Sequence, residues 1–324
     1  MPKIKLSTVK LAWLTLTVNL LIILQGAVVR ATGSGAGCGS HWPLCNGEVI
    51  PLAPTTETLI EYSHRLLSLS ALLLTAWLLS RAFRSRRERP ALFGAALVSF
   101  IFLIFEALLG AATVLLGLTG ENETVGRGVM VASHLVNSML LVGALTATLV
   151  YARKHAPERP TLRGQGLVGT TLLIGLAGML LLIFSGGIAA MGNTMFPSES
   201  LSAGFAADFD PASHLLIRLR LLHPIIAITI GIYLFLSLGL SWWLKPVREA
   251  RGLSRVLFTV YLAQLIVGTL NLTLLGPIPL QLLHLSLAVL AFALLSALTV
   301  FTLGTPRVVE KSTLAPRRER GMNT

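Results

Sequence analysis

Apolar residues run along this chain in eight blocks separated by short polar segments, near positions 11–29, 60–82, 91–118, 129–151, 167–190, 215–244, 253–272 and 280–301. A helix crossing a bilayer needs roughly 20 predominantly apolar residues, so each block predicts one span. The fold class expected is all-α integral membrane, with eight transmembrane helices. Composition agrees: a mean hydropathy of +0.76, with 54% hydrophobic and 12% charged residues over 324 positions, lies outside the range of a soluble globular chain.

The net charge of +12 would suggest nucleic acid in a soluble protein. Here the basic residues sit beside span ends, where membrane orientation explains them and nucleic acid is not needed. Basic clusters occur at Lys3, Lys5 and Lys10, at Arg81, Arg84, Arg86, Arg87 and Arg89, at Arg153, Lys154, Arg159 and Arg163, at Lys245, Arg248, Arg251 and Arg255, and at Arg307, Lys311, Arg317, Arg318 and Arg320. The intervening segments carry Glu48 and Glu57, then Glu121 and Glu123, then Glu199, Asp208 and Asp210, then no charge between 273 and 279. Because Lys and Arg near span ends stay cytoplasmic, both termini are expected inside. No small-residue cleavage site follows the first apolar run before Arg30, so span one is read as retained. The absence of an Arg/Ser-rich presequence favours a multi-pass plasma membrane protein over an organellar one.

The two halves resemble each other weakly at an offset of about 160 residues, the mark of a duplicated four-helix unit. Gly26-Ala27-Val28-Val29 aligns with Gly187-Ile188-Ala189-Ala190, and Glu106 to Gly110 with Gln264 to Gly268. His64 and His223 open spans two and six, and His134 and His284 open spans four and eight. An even number of spans per unit gives both halves the same topology, so two pseudo-symmetric four-helix bundles are expected, one over 1–155 and one over 156–324.

Each bundle therefore carries two histidines at matched depth near the outer ends of parallel helices. A single membrane histidine is often only a hydrogen-bonded packing residue, but ionisable groups in hydrocarbon are expensive and tend to mark function. Two imidazoles suit the two faces of one porphyrin, whose apolar area Leu- and Val-rich helices would cover. A zinc or copper site would need three or four converging ligands. One haem per bundle is the expectation. His41, His155 and His214 have no repeat partner and are read as solvated or structural.

The bundles differ in charge. Glu61 stands three residues before His64, on the same helix face, where it can take protons or stabilise positive charge; its other reading is an N-terminal-turn acid favoured by the helix dipole. The aligned position before His223 is Arg220, which suits a haem propionate. The first bundle is thus expected to perform chemistry and the second to hold a stationary haem. Glu106 is a second intramembrane acid, suited to a proton path or to a polar network. The only cysteines, Cys38 and Cys45, lie in the outer loop after span one, and a disulfide between them is geometrically easy in an oxidising compartment. Their spacing is not that of covalent haem attachment.

The sequence resembles the haem A synthase family over essentially its whole length. The resemblance rests on Gly26 to Gly35, on Trp42-Pro43-Leu44-Cys45, on Glu61-x-x-His64-Arg65, and on His134, His223 and His284. It implies oxidation of the C8 methyl of haem O by successive hydroxylations to a formyl group, making haem A for terminal oxidases. It further implies that His64 and His134 hold the substrate haem O, that Glu61 is required for the chemistry, that His223 and His284 ligate a haem b cofactor, and that the cysteine pair is an extracytoplasmic disulfide. Haem O synthase, an electron donor and lipid are the partners to consider, with self-association left open. The rival classes are a di-haem b electron carrier of the quinol oxidoreductase kind, which would lack the asymmetry at Glu61, and a repeat-built transporter, which would need midplane polar residues and broken helices.

Overall fold

The computed structural model describes residues 6–157, 166–244 and 248–304. Lys3, Lys5, Arg159, Arg163, Lys245 and the basic residues from Arg307 onward lie outside the described residues, as does the side chain of Arg248. Among the described residues the chain is all helix, with no strand beyond one isolated bridge between Cys45 and Glu48. Eight helices among the described residues are long and apolar enough to cross a membrane, and the protein is a multi-pass membrane protein.

Spans one to five are α1 (Thr8–Ala31), α2 (Thr56–Arg84), α3 (Pro90–Leu115), α4 (Val125–Ala152) and α5 (Gly166–Met195). A short α6 (Leu201–Phe209) follows, then span six, which is broken into α7 (Leu215–Arg218), a 3-10 turn at Leu219–Leu221, and α8 (Leu222–Leu244). Spans seven and eight are α9 (Arg248–Thr273) and α10 (Ile278–Leu303).

The helix starts are set locally. Side-chain oxygens of Ser7, Thr55, Thr124 and Ser200 accept the N–H three residues on, at 3.2–3.4 Å, satisfying donors a helix start otherwise leaves open. Pro90 starts α3, where its missing N–H costs nothing. Sequence periodicity predicts span six as one helix; the structure breaks it, and Pro224 sits in the first turn of α8, where a proline without an N–H is tolerated. The nine-residue α6 is too short to register as an apolar block, and the sequence reading treats it as loop.

Helix α4 is the most enclosed span, followed by α10 and α5. It packs against α3 and α1 on one side and against α5 and α10 on the other. Helices α1–α4 contact in a ring, α1 to α2 to α3 to α4 and back, and α5, α8, α9 and α10 do the same. Where the rings meet, a methyl on Gly187 would lie 2.8 Å from the Ala132 Cα, so glycine there lets α5 and α4 touch backbone to backbone. One apolar core runs through both rings, with Leu11, Leu78, Met139, Leu145, Leu172 and Leu295 fully buried. The tighter packing lies toward the end carrying Arg89 and Arg153. Toward the opposite end, called here the disulfide end, the rings open around a cavity.

Candidate functional site

The cavity encloses about 1040 Å³, at the upper limit of the roughly 300–1,000 Å³ usual for small-molecule sites. All four span histidines, His64, His134, His223 and His284, line it. Each lies about two turns inside the disulfide end of its span, as the sequence predicts.

Every one of these rings stands against a glycine on the preceding span. A methyl added to Gly26 would sit 3.2 Å from the His64 ring, on Gly110 3.7 Å from His134, on Gly186 2.9 Å from His223, and on Gly268 2.7 Å from His284. The last two distances are shorter than real Cβ contacts, so glycine is what allows those rings to stand where they do. The glycine facing His223 is Gly186, one residue before the Gly187 that the sequence alignment pairs with Gly26. Gly187 faces α4 instead, because a two-glycine step serves both sides of α5.

The donor set fits a planar macrocycle held from two faces. The His223 and His284 rings lie 6.3 Å apart between centroids and nearly perpendicular. A metal bound by both would be about 2.0 Å from each nitrogen, which with roughly 1.1 Å from nitrogen to ring centre gives about 6.2 Å. The Nδ1 atoms of His64 and His284 are buried without a hydrogen-bond partner among the described residues. His223 Nδ1 instead lies 3.1 Å from the Ser185 hydroxyl. No cluster of three or more His, Cys, Asp or Glu that could hold a bare metal ion occurs among the described residues.

Around the rings the halves diverge. Glu106 Oε1 lies 3.4 Å from His134 Nδ1, and its carboxylate also accepts from Asn137 Nδ2 at 2.5 Å and from the Ser138 hydroxyl. The matching Gln264 places its amide nitrogen 3.2 Å from His284 Nε2. Glu61 is 4% exposed and lines the cavity. It accepts the Cys38 N–H at 2.8 Å and pairs with Arg65, which in turn donates to the carbonyls of His41 at 2.8 Å and Leu44 at 2.6 Å. Cys38 and Cys45 form a disulfide, so this short ring of chain is fastened to α2 by hydrogen bonds to the Glu61–Arg65 pair and to itself by sulfur. Trp42, Pro43 and Leu44 of the same loop line the cavity mouth.

Over the second half the cover is α6. Arg220, which from the sequence suits a haem propionate, pairs with Asp208 of α6 at 2.7 Å and donates to Asn193 Oδ1 at 2.8 Å. Its charge is already balanced, and sequence alone could not reveal the partner twelve residues upstream in an unrecognised helix. His214 caps α7 and packs on Phe196, and the His41 carbonyl receives Arg65, so both belong to the scaffold as expected. His155 lies at the opposite end, beyond α4.

The profile of the COX15-CtaA family, described as cytochrome oxidase assembly protein, matches residues 9–296. A Thermus thermophilus protein named protoheme IX farnesyltransferase is 46% identical over 281 residues, covering 86% of this chain and 45% of that protein. Two proteins named heme A synthase are similar over shorter stretches: one from Alkalihalophilus pseudofirmus, 48% identical over 104 residues (30% of this chain, 33% of that protein), and one from Shouchella clausii, 44% identical over 102 residues (30% and 33%). The chain spans less than half the length of each of these relatives. A family match reaching from α1 into α10, through all four histidine-bearing helices, shows that the chain belongs to the COX15-CtaA family of cytochrome oxidase assembly proteins, the haem A synthase family that its sequence resembles.

Proposed function

We propose that this protein is a haem A synthase, oxidising the C8 methyl of haem O to a formyl group. The observation that carries the reading is the cavity with two glycine-backed histidine pairs, of which one has the Glu106 carboxylate beside it and the other the neutral Gln264 amide. In this reading His64 and His134 hold the substrate haem O in the first bundle, 1–155, and His223 and His284 hold haem b in the second, 156–324. Haem b, once bound, supplies one-electron transfer.

The protein's own groups then have distinct tasks. Glu61 holds or accepts a proton at its carboxylate on the same side of α2 as His64, and Arg65 keeps that carboxylate pointed at the cavity. The Trp42-Pro43-Leu44 segment covers the first site and keeps water from it. Glu106 fixes the His134 ring by its approach to Nδ1 and is itself held by Asn137 and Ser138. The basic residues at the opposite end support cytoplasmic termini in a plasma membrane, which puts the disulfide in the oxidising compartment. Haem O synthase is the expected supplier of substrate, a reading supported by the 46% identity to a protein named for protohaem farnesylation.

One observation favours the rival di-haem electron carrier: both Glu61 oxygens already have partners in the loop and in Arg65. Mass analysis of haems extracted from membranes containing this protein and supplied with haem O decides between them. Haem A, or hydroxylated haem O, is expected; unaltered haem O beside haem B alone would support the carrier.

A further inference from the structure

Four guanidinium groups line the cavity, those of Arg30, Arg65, Arg127 and Arg220. Arg65 is balanced by Glu61 and Arg220 by Asp208. Arg127 folds back onto its own connection, donating to the carbonyls of Gly120 at 2.7 Å and Asn122 at 2.9 Å. Arg30 is different. It belongs to α1, yet it donates from Nη1 to the Ala190 carbonyl at 3.1 Å and to Thr194 Oγ1 at 2.5 Å, and from Nη2 to Gln281 Oε1 at 2.5 Å. All three acceptors are neutral and all belong to α5 or α10. No carboxylate pairs with Arg30 among the described residues.

A guanidinium has five N–H donors, so three hydrogen bonds leave two without an acceptor among the described residues, in a site walled largely by apolar side chains. Burying a cation that way is costly unless an anion completes it. The position is equally specific. Arg30 is one turn beyond Gly26, Ala190 one turn beyond Gly186, and Gln281 one turn before His284, each displaced toward the disulfide end. Those three neighbours are the glycines behind two histidine rings and a third histidine itself. With Thr194 a further turn beyond Ala190, the guanidinium sits one to two helical turns, roughly 5–11 Å, outward from the histidine level, within reach of a carboxylate hanging from a macrocycle's rim. Gln281 is held for this purpose by donating its own amide to the Gly276 carbonyl at 2.5 Å.

We propose that Arg30, and not Arg220, is the residue that binds a propionate carboxylate of the haem held by His223 and His284, presenting its two open donors to it across the junction between the bundles. The proposal rests on the assignment of haem b to the second bundle. Its chemistry is a planar, charge-assisted contact in which guanidinium is better than ammonium. Because Arg30 comes from the first bundle, loss of its charge is felt at a haem whose axial ligands all come from the second.

The test uses the full-length protein carrying haem b, with Arg30→Gln and Arg30→Lys variants. Hydrogen bonds to a charged group contribute enough to change release roughly tenfold or more. Arg30→Gln is therefore expected to release haem b to apomyoglobin about tenfold faster and to lower its midpoint potential, since a positive charge near the iron is lost. Arg30→Lys should restore the potential while still releasing haem faster than wild type. Reconstitution with protohaem dimethyl ester, which lacks the carboxylates, should abolish the difference between wild type and Arg30→Gln. Wild-type release and potential in Arg30→Gln, or an equal difference with the ester, would overturn the proposal and leave Arg30 as a tie between helices. Should Arg30→Gln fail to fold, unaltered haem release from Arg30→Lys overturns it as well. His284→Ala measured in parallel separates the two levels: if that variant keeps its haem b, the assignment of haem b to the second bundle is wrong, whereas loss of haem there with unchanged Arg30 variants removes only this proposal.

Discussion

The two halves of the molecule place histidines at the same level and back each ring with a glycine, but they surround those rings with different charge. Beside His134 stands the carboxylate of Glu106, and beside His284 the neutral amide of Gln264. Over the first pair lies a disulfide loop fastened to α2 through Glu61 and Arg65; over the second lies a short helix fastened to the start of span six through Asp208 and Arg220. In the proposed reading the two glycine-backed histidine pairs are two places for the same kind of planar group. In the proposed reading the unequal charge around them makes one site react and the other retain.

The comparison is broken most sharply at Glu61. Glu61→Gln keeps shape and much of the hydrogen bonding while removing the charge, and loss of a general base typically costs about 10²–10⁴-fold. Haem A yield in cells supplied with haem O should fall by that order, with haem b content unchanged, as read by extraction and mass analysis. Wild-type yield from this variant would leave Glu61 as an anchor for the Cys38 N–H and nothing more.

Next in size is a contrast between glycines. Gly268→Ala would place a methyl 2.7 Å from the His284 ring, whereas Gly110→Ala would meet His134 at an ordinary 3.7 Å. Overpacking of this kind costs about 1–3 kcal/mol, roughly five- to 150-fold in haem retention. Extraction and mass analysis of the purified variants is expected to show haem b depleted in Gly268→Ala and haem O retained in Gly110→Ala; wild-type haem b in Gly268→Ala would mean that the His284 ring does not depend on this gap.

A smaller effect is expected at the loop. Replacing Cys38 and Cys45 by serine frees a cover that Glu61, Arg65 and Thr58 still hold, so haem A yield should drop by about tenfold or less with haem b untouched. Loss of haem b in that variant would show that the loop supports both halves. The smallest change is Glu106→Gln, which makes the first site resemble the second. Charged hydrogen bonds exceed neutral ones by about 1 kcal/mol, so roughly a fivefold change in haem O retention is expected at the first site, measured by haem O bound per protein, with no change in haem b.

Much of this was legible in the sequence because transfer free energy and side-chain depth are properties of a linear pattern. Eight apolar blocks gave eight spans, and matched positions of His64, His134, His223 and His284 gave four rings around one cavity. The spacing of Cys38 and Cys45 in a turn-rich loop allowed the disulfide that the structure contains. Other features depend on partners distant in the chain. Arg30 meets residues 160 and more positions away, and Arg220 finds its charge partner in α6, a helix with no apolar block to announce it. The sequence also placed Glu61 beside His64 on helix geometry alone, but could not show that its carboxylate holds the backbone of Cys38.

The division of labour is tested most directly by comparing bound haems in two double variants, His64→Ala with His134→Ala and His223→Ala with His284→Ala, each purified from cells that make haem O. The account predicts that the first variant keeps haem b and carries neither haem O nor haem A, and that the second loses haem b while retaining unconverted haem O. The reverse pattern, with haem b lost from the first variant and kept by the second, would contradict it.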